Sequence, residues 1–227
     1  MSSPPRREVH CDDALGWLAR TGTLTGCALI TSMPDVSELG GASLEVWRTF
    51  FSAAAGLVLA ATPADSVTIF FQTDIKKEGV WVDKGYLCQR AAEQARAHEL
   101  FHKIVCRVKP GAITFGRPAY SHLLGFSRGL ALNAAKATAD VLPEAGETTW
   151  TRGMGVAACE AACRFVLENT DARTVVDPFC GHGTLLAVAN ALGLDAIGVE
   201  KSAKRARKAR SLRLEPGGRL SLASDQG

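Results

Sequence analysis

The sequence predicts an α/β fold, built on a doubly wound and mostly parallel sheet of seven strands. Short β-prone runs alternate with longer helical segments along most of the chain, which is typical of a parallel sheet covered by helices. Two late strands follow each other without a helix between them, and this predicts an antiparallel hairpin at one edge. With 47% apolar residues among 227, the chain has enough core for one domain over residues 1–227, with flexible ends at 1–5 and 215–227.

The first half of the chain supplies three predicted strands and two predicted helices. The strands are apolar or β-branched runs that end in polar or turn-forming residues, and they cover Glu8–Cys11, Cys27–Thr31 and Val67–Phe71. The helices show apolar residues at helical spacing and cover Leu44–Ala60 and about Tyr86–Leu100.

The second half begins with the predicted hairpin and ends with alternating helices and strands. The hairpin strands are Phe101–Val108 and Ser121–Phe126, separated by a turn at Pro110 and Gly111, and the Ala-rich segment 130–147 is predicted to be a connector. The remaining helices are expected at Val156–Glu168, Thr184–Leu192 and Lys201–Arg210, and the remaining strands at Thr174–Asp177 and Ala196–Val199.

Composition restricts the possible surroundings and partners of the chain. A net charge of +3 is too small by itself to indicate nucleic acid. We count no apolar run of the roughly 20 residues that a membrane span requires, so no membrane association is expected. The seven cysteines show no disulfide-framework spacing, and no signal peptide is recognisable, so reduced thiols and a cytoplasmic location are expected.

The segment from Val175 to Thr184 carries the main functional signal. An apolar strand runs into a turn of small residues, and that turn opens a helix. Gly181 and Gly183 let the backbone approach a ligand, and the free N–H groups at a helix start attract a carboxylate or phosphate. About 20 residues further on, Glu200 ends the next strand, where an acid can accept both ribose hydroxyls. Together these features predict a ligand that contains adenosine.

The eight residues Asp177–Thr184 resemble the Asp-Pro-Phe-x-Gly-x-Gly-Thr motif of the amino-group methyltransferases that act on DNA and RNA. The resemblance implies a Rossmann-like class I methyltransferase fold, S-adenosyl-L-methionine as cofactor, and no metal. It also implies that the loop holds the methionine end of the cofactor and that Glu200 holds the ribose. The loop residues concerned are Asp177, Phe179, Gly181, Gly183 and Thr184.

The order of the motifs resembles the circularly permuted β-class of this family, over about residues 6–210. In that class the catalytic motif precedes the cofactor loop. Asp13, with Asp12 as the alternative, matches the acid that binds the adenine amino group. Arg152 and Gly153 fall in the segment that caps the methionine; Arg152 would pair with its carboxylate, or else be an ordinary exposed arginine.

The residues Ser32–Asp35 resemble the catalytic tetrapeptide, which in the family is Asp, Asn or Ser, then Pro-Pro, then an aromatic residue. Ser32 and Pro34 match, whereas Met33 replaces a proline and Asp35 replaces the aromatic residue that stacks on an extruded base. We assign catalytic roles to Ser32, Pro34 and Asp35. Asp35 could accept hydrogen bonds from a substrate amine or act as a general base, or it could cap the helix that follows, with Glu38 completing a capping box.

The substrate is predicted from the absence of a segment as long as the family's target-recognition domain. Only about 20 residues, Gly129–Thr148, occupy the place of the family's target-recognition domain. We therefore expect no sequence-specific recognition of duplex DNA, and favour N-methylation of a base in tRNA or rRNA. A small molecule or a protein side chain is the alternative substrate, and the altered tetrapeptide leaves open a silent partner subunit. The sequence does not indicate an oligomeric state.

Other polar residues are secondary candidates. Substrate contacts are possible at Gln72–Asp74, and Lys76–Trp81 could form a covering loop with an aromatic tip. The six basic residues between Lys201 and Arg210 could contact phosphates or form a solvated helix face.

Overall fold

The computed structural model describes residues 4–77 and 79–222. Within these ranges the helices are α1 (Ala14–Thr21), α2 (Leu44–Ala61), α3 (Lys84–Gln94), α4 (Val156–Asn169), α5 (Thr184–Ala191) and α6 (Ala203–Ser211). The strands are β1 (Arg7–His10), β2 (Cys27–Thr31), β3 (Thr68–Gln72), β4 (Ile75–Lys77), β5 (Val80–Val82), β6 (His98–Cys106), β7 (Tyr120–Ser127), β8 (Val141–Leu142), β9 (Thr174–Asp177), β10 (Asp195–Val199), β11 (Leu212–Leu214) and β12 (Leu220–Leu222).

The main sheet has the strand order β1-β10-β9-β2-β3-β7-β6-β8. The first five strands run parallel to one another, and β7 is antiparallel to both of its neighbours. The predicted mostly parallel sheet with an antiparallel hairpin is therefore confirmed. The sheet has eight strands instead of seven, because two residues of the expected connector form β8 beside β6. Lys103 holds this segment by donating to the carbonyls of Thr138 and Ala139.

The predicted helix over Tyr86–Leu100 is shorter in the structure. It ends at Gln94, and Arg96 then takes a left-handed conformation with φ of 56°, which turns the chain into β6 at His98. His98, His102 and Cys106, which are spaced four residues apart, therefore all lie on strand β6.

Helices cover both faces of the sheet and create two hydrophobic cores. One core packs α4, α5 and α6 on one face, and the other packs α1, α2 and α3 on the opposite face. Successive residues of β9, Val175 and Val176, point into different cores, as the two-residue period of a strand requires.

Helix α2 is long and apolar enough to cross a membrane by length and composition alone. In the structure 39% of its residues are buried, including Trp47 and Phe51, which are fully enclosed in the core against the sheet. A core helix of a globular domain passes the same test, and the packing of α2 is that of a core helix.

The N-terminal strand is fastened to the C-terminal part of the chain. Arg7 on β1 donates to Asn190 Oδ1 at 2.7 Å and to the carbonyl of Ala209 at 3.1 Å. The tail that was expected to be flexible from residue 215 contains strand β12, which pairs with β11. Residues 1–3 and 223–227 of the expected flexible ends lie outside the described residues.

Candidate active site

A cavity of about 410 Å³ lies at the carboxyl ends of β9, β10 and β2. Open α/β sheets bind ligands at this edge, where neighbouring crossovers leave in opposite directions. The cavity collects residues from both ends of the chain. Those that the sequence singled out are Asp13, Ser32, Pro34, Arg152, Gly153, Asp177, Phe179, Gly181, Thr184 and Glu200. Gly183 and Asp35 are the two predicted site residues that do not line it.

Asp177 ends β9 at the centre of this cavity and is 3% exposed. Its Oδ1 accepts hydrogen bonds from the Thr31 hydroxyl at 2.6 Å and from the Phe179 N–H at 3.0 Å. Burial, with a smaller contribution from the nearby Glu200, raises the pKa of Asp177 to about 7, although these two hydrogen bonds lower it. A buried carboxylate with such a pKa is stabilised by a bound cation.

The two glycines of the turn do different things. Gly181 has φ of 55°, and a Cβ there would meet no atom within 4 Å, so its backbone is open to the cavity. Gly183 has φ of 84°, and a Cβ there would lie 2.8 Å from the Cα of Ala209 on α6. Gly183 therefore allows close packing between α5 and α6, and its expected ligand contact stays a prediction. Cys180, which precedes Gly181, is buried, and burial strongly raises the pKa of its thiol, so the thiol stays protonated.

Two further carboxylates border the cavity. Asp13 accepts the Gly16 N–H at 3.0 Å and so caps α1, while its side chain also faces the cavity. Asp12 instead pairs with Arg20 at the surface, which favours Asp13 over Asp12 as the ligand-facing acid. Glu200 is placed by its N–H bond to the His10 carbonyl at 3.0 Å, which joins the ends of β10 and β1.

The segment 149–153 forms one wall of the cavity and contacts the turn at His182. The Trp150 ring lies 5.7 Å from the His182 ring, and the guanidinium of Arg205 lies 5.0 Å from the centre of Trp150. Burial, with Lys208 and Arg205 nearby, lowers the pKa of His182, so it is neutral at pH 7 and can bond the Thr149 hydroxyl. Trp150 and His182 were not predicted as site residues, although Trp150 stands two residues before the predicted capping residue Arg152.

The tetrapeptide follows β2 and enters the cavity with its first three residues. Met33 is buried, and Ser32 and Pro34 are partly exposed along the cavity. Trp47 of α2 donates its indole N–H to the Pro34 carbonyl at 3.1 Å and fixes the course of this loop. Within the described residues, the Ser32 hydroxyl forms no hydrogen bond to another protein group.

Asp35 turns away from the cavity into an ion-paired cluster. Its Oδ1 accepts the Val36 N–H at 3.0 Å and lies 3.3 Å from Lys84 Nζ, while its Oδ2 pairs with Arg117. Asp35 caps the short 3-10 helix Val36–Glu38, and Glu38 accepts the Asp35 N–H at 2.9 Å, so the capping box of the alternative interpretation is present. Burial lowers the pKa of Lys84 despite the adjacent carboxylate. Because both oxygens are occupied, the structure favours the helix cap over the expected contact with a substrate amine.

A second buried carboxylate, Asp74, lies beside this cluster. It accepts hydrogen bonds from the Trp81 indole at 3.0 Å, His122 Nε2 at 3.1 Å and the Lys84 N–H at 2.8 Å. The segment predicted as a covering loop contributes to the hairpin β4–β5, which the Trp81–Asp74 hydrogen bond ties to the domain; that it covers a substrate stays a prediction. Asp74, Asp83 and His122 are close enough together to hold a metal ion, so the metal-free expectation stays a prediction.

Solved structures with the same fold define the class. TTHA0409 of Thermus thermophilus, a candidate DNA modification methylase solved with S-adenosyl-L-methionine, is 19% identical, with a TM-score of 0.69 over 90% of this chain and 92% of that chain. The PvuII cytosine-N4-specific DNA methyltransferase is 14% identical, with a TM-score of 0.68 over 91% and 86%. The M1.HpyAVI complex with S-adenosyl-L-methionine is 13% identical, with a TM-score of 0.60 over 90% and 97%. The chain thus has the Rossmann-like fold of methyltransferases.

The more particular finding is a family model described as DNA methylase, which matches residues 164–211. That range contains the turn at Asp177 and the acid at Glu200. No curated protein sequence matches the chain.

These comparisons contradict the expected partners. The family model, TTHA0409 and the PvuII enzyme are all described as DNA methylases or DNA methyltransferases, so the expectation of an RNA substrate is wrong, and so is the exclusion of duplex DNA. The exclusion came from the short segment Gly129–Thr148. However, this chain covers 92% of TTHA0409 and 97% of M1.HpyAVI, so proteins of this class occur without a long insertion.

Proposed function

We propose that this protein is an S-adenosyl-L-methionine-dependent methyltransferase that methylates an exocyclic amino group of a base in DNA. The observation that carries the proposal is the single cavity in which the turn at Asp177, the acid Glu200 and the loop at Ser32 meet. The fold and the DNA methylase match over residues 164–211 support the same conclusion.

The charges of the cavity fit this cofactor. S-adenosyl-L-methionine carries an ammonium and a sulfonium, and Asp177 is a buried carboxylate whose charged form an adjacent cation would stabilise. Arg152 lines the same cavity and is suited to the methionine carboxylate. Glu200 and Asp13 can accept hydrogen bonds from the ribose and the adenine. The volume of about 410 Å³ lies within the range of small-molecule sites.

The residues of the chain act mainly by positioning. Bound cofactor supplies a methyl group on a sulfonium, and no protein nucleophile is required. The Ser32 hydroxyl and the Met33 carbonyl accept hydrogen bonds from the target amino group and orient its lone pair for in-line displacement. The cofactor would give up its methyl group to the amino nitrogen while its sulfur kept the electron pair of the carbon–sulfur bond, and the methylated nitrogen would then lose a proton to water.

We also propose that the domain is circularly permuted relative to the usual order of strands in class I methyltransferases. In support, the N-terminal β1 lies beside the late strand β10, and β2 with the Ser32 loop lies beside β9 with the cofactor turn. The catalytic loop thus precedes the cofactor loop by about 140 positions in sequence, yet both open into one cavity. One domain and a cytoplasmic location stay predictions.

The test is methyl transfer to DNA. Purified protein is incubated with isotope-labelled cofactor and unmethylated duplex DNA made by amplification, and the digested nucleosides are separated by mass spectrometry. We expect label in N6-methyladenine or N4-methylcytosine. Ser32→Ala should bind cofactor as tightly as wild type by calorimetry, but transfer methyl groups about 10- to 100-fold more slowly, because the target amine loses one acceptor.

Two results would count against the proposal in different ways. Cofactor binding without methylation of DNA would refute the DNA substrate and favour the silent subunit or a smaller substrate. Failure to bind the cofactor at all would refute the site assignment.

A further inference from the structure

A second, basic groove of about 790 Å³ opens next to the Ser32–Asp35 loop. The described residues that line it include one carboxylate, Asp35, which is already paired, and five cationic side chains: Lys76, Lys77, Arg107, Arg117 and Arg152. Burial and the neighbouring Arg117 lower the pKa of Arg107, so two like charges are held close together. Such a concentration of positive charge attracts a polyanion. Arg152 also lines the cofactor cavity, so the two spaces adjoin.

Phe115 stands at the rim of this groove and is 92% exposed. It belongs to the loop between β6 and β7, where Gly116 takes a left-handed φ of 76°. The loop is braced from two sides: Arg117 pairs with Asp35, and the Gly116 carbonyl accepts the Lys76 N–H at 3.0 Å. The Arg117 N–H donates to the Phe115 carbonyl at 2.8 Å and tightens the turn. The aromatic ring is therefore presented to solvent on an anchored loop.

We propose that Phe115 is a stacking platform for a base of the DNA strand in this groove, and that the surrounding cations hold its phosphates. The inference rests on the proposed function and names the residue that meets the substrate. A basic groove with an exposed aromatic ring is the combination that binds nucleic acid strands, because every base has a π-face. At position 35 the chain has an ion-paired carboxylate where the resembling family has an aromatic ring. The Asp35–Arg117 ion pair holds the loop that carries Phe115 beside the Ser32–Asp35 loop, so Phe115 can supply the missing ring.

The experiment compares oligonucleotides with and without bases. Fluorescein-labelled dT20 and an abasic 20-mer with the same phosphates are titrated with protein, and binding is followed by fluorescence anisotropy. Wild type should bind dT20 more tightly than the abasic strand. Phe115→Ala should lose that preference and bind dT20 roughly 10- to 100-fold more weakly, since stacking contributes on this scale per base. Phe115→Trp should keep the preference.

Matched controls separate stacking from folding and from charge. Ile113→Ala removes a side chain that is 87% exposed on the same loop but does not line the groove, and it should behave as wild type. Arg107→Gln should weaken both strands equally and reduce the slope of log affinity against log salt by about one.

The inference is overturned if Phe115→Ala matches Ile113→Ala on both strands, or if wild type binds the two strands equally or not at all. The proposed function is judged separately by cofactor binding and by methylation of duplex DNA. If the wild-type protein methylates DNA and Phe115→Ala methylates it at the same rate, only the stacking role of Phe115 is refuted, and the proposed function stands.

Discussion

At the scale of single residues, Asp177 shows a conflict between folding and binding. Its carboxyl has a pKa of about 7 in the folded protein against 3.8 in the unfolded chain. The unfolded state gives up the proton first, so the contribution of Asp177 to the stability of the ligand-free protein falls as pH rises from about 4 to 7 and is constant above that. The difference corresponds to at most about 4 kcal/mol. The site is thus kept ready for a cation at the expense of stability.

We therefore predict that Asp177→Asn stabilises the ligand-free protein while abolishing tight cofactor binding. The amide oxygen can still accept from Thr31 and from the Phe179 N–H, but no buried charge has to form. Urea unfolding at pH 8 should show a gain of about 1–4 kcal/mol that shrinks towards pH 4. Asp171→Asn, at an exposed position, is the control and should change little. A destabilised Asn variant at pH 8 would contradict the prediction.

The same residue predicts how cofactor affinity depends on pH. Binding of an ammonium requires the ionised carboxylate, so affinity should rise up to about tenfold per pH unit below 7 and then level off. Calorimetry at pH 6 in buffers of different ionisation enthalpy should detect release of about one proton per cofactor bound. Any residual weak cofactor binding by Asp177→Asn should release no proton from this site. A pH-independent wild-type affinity between pH 5.5 and 7 would be incompatible with this account.

Asp35 is predicted to act on stability and not on cofactor affinity. Asp35→Asn leaves Lys84, which is 3% exposed, without its counter-charge, and should cost about 3–5 kcal/mol. Adding Lys84→Met should recover part of that loss, and the non-additivity measures the pair. Cofactor affinity, measured on folded protein, should stay unchanged because Asp35 lies outside the cavity. Strictly additive losses would show that the pair is not coupled.

Residues were predictable from the sequence where a local motif marks them. Asp177, Gly181 and Glu200 stand in or after one strand-turn-helix pattern, and all three line the cavity. Lys84 and Arg117 meet Asp35 from 49 and 82 positions away, and no local pattern records such a contact. The sequence around Asp35 is compatible both with a site residue and with a helix cap. Only its tertiary contacts with Lys84 and Arg117 distinguish the two interpretations.

At the scale of elements, the close packing of α5 on α6 makes a side chain at position 183 more destabilising than one at position 181. Gly181→Ala should cost about 1 kcal/mol, for the left-handed backbone alone. Gly183→Ala pays the same cost and also drives a methyl group into the backbone of α6, for a total of about 2–4 kcal/mol. Urea unfolding of the two variants measures the difference. Equal losses would show that α6 can move away without cost.

Elements were predictable in proportion to the strength of their pattern. The buried strands β2, β3 and β9 lie close to where the apolar runs placed them. The two-residue strand β8 has no periodicity, since it exists only because β6 offers an edge and Lys103 binds the carbonyls before it. The end of α3 was misplaced because the left-handed Arg96 belongs to a residue type that rarely adopts that conformation.

At the scale of the whole molecule, the sequence indicated the fold class through alternation of strands and helices, and the motif indicated one shared pocket. The strand order supports the expected meeting of the two ends of the chain, because β1 and β2 each pair with a strand from beyond residue 170. The partner could not be predicted in the same way. The absence of an insertion says little about the substrate. The positively charged groove, which does indicate one, is formed by residues far apart in sequence, so no local pattern reveals it.

The place of β9 in the sheet also affects how the protein is made. The ribosome releases β2 early, but the strand that covers its inner edge follows more than 140 residues later. Until then the nascent polypeptide carries an apolar strand with unpaired N–H and C=O groups, a surface on which chains associate. A messenger truncated before residue 174 would therefore yield an aggregating product instead of a smaller, partly active protein.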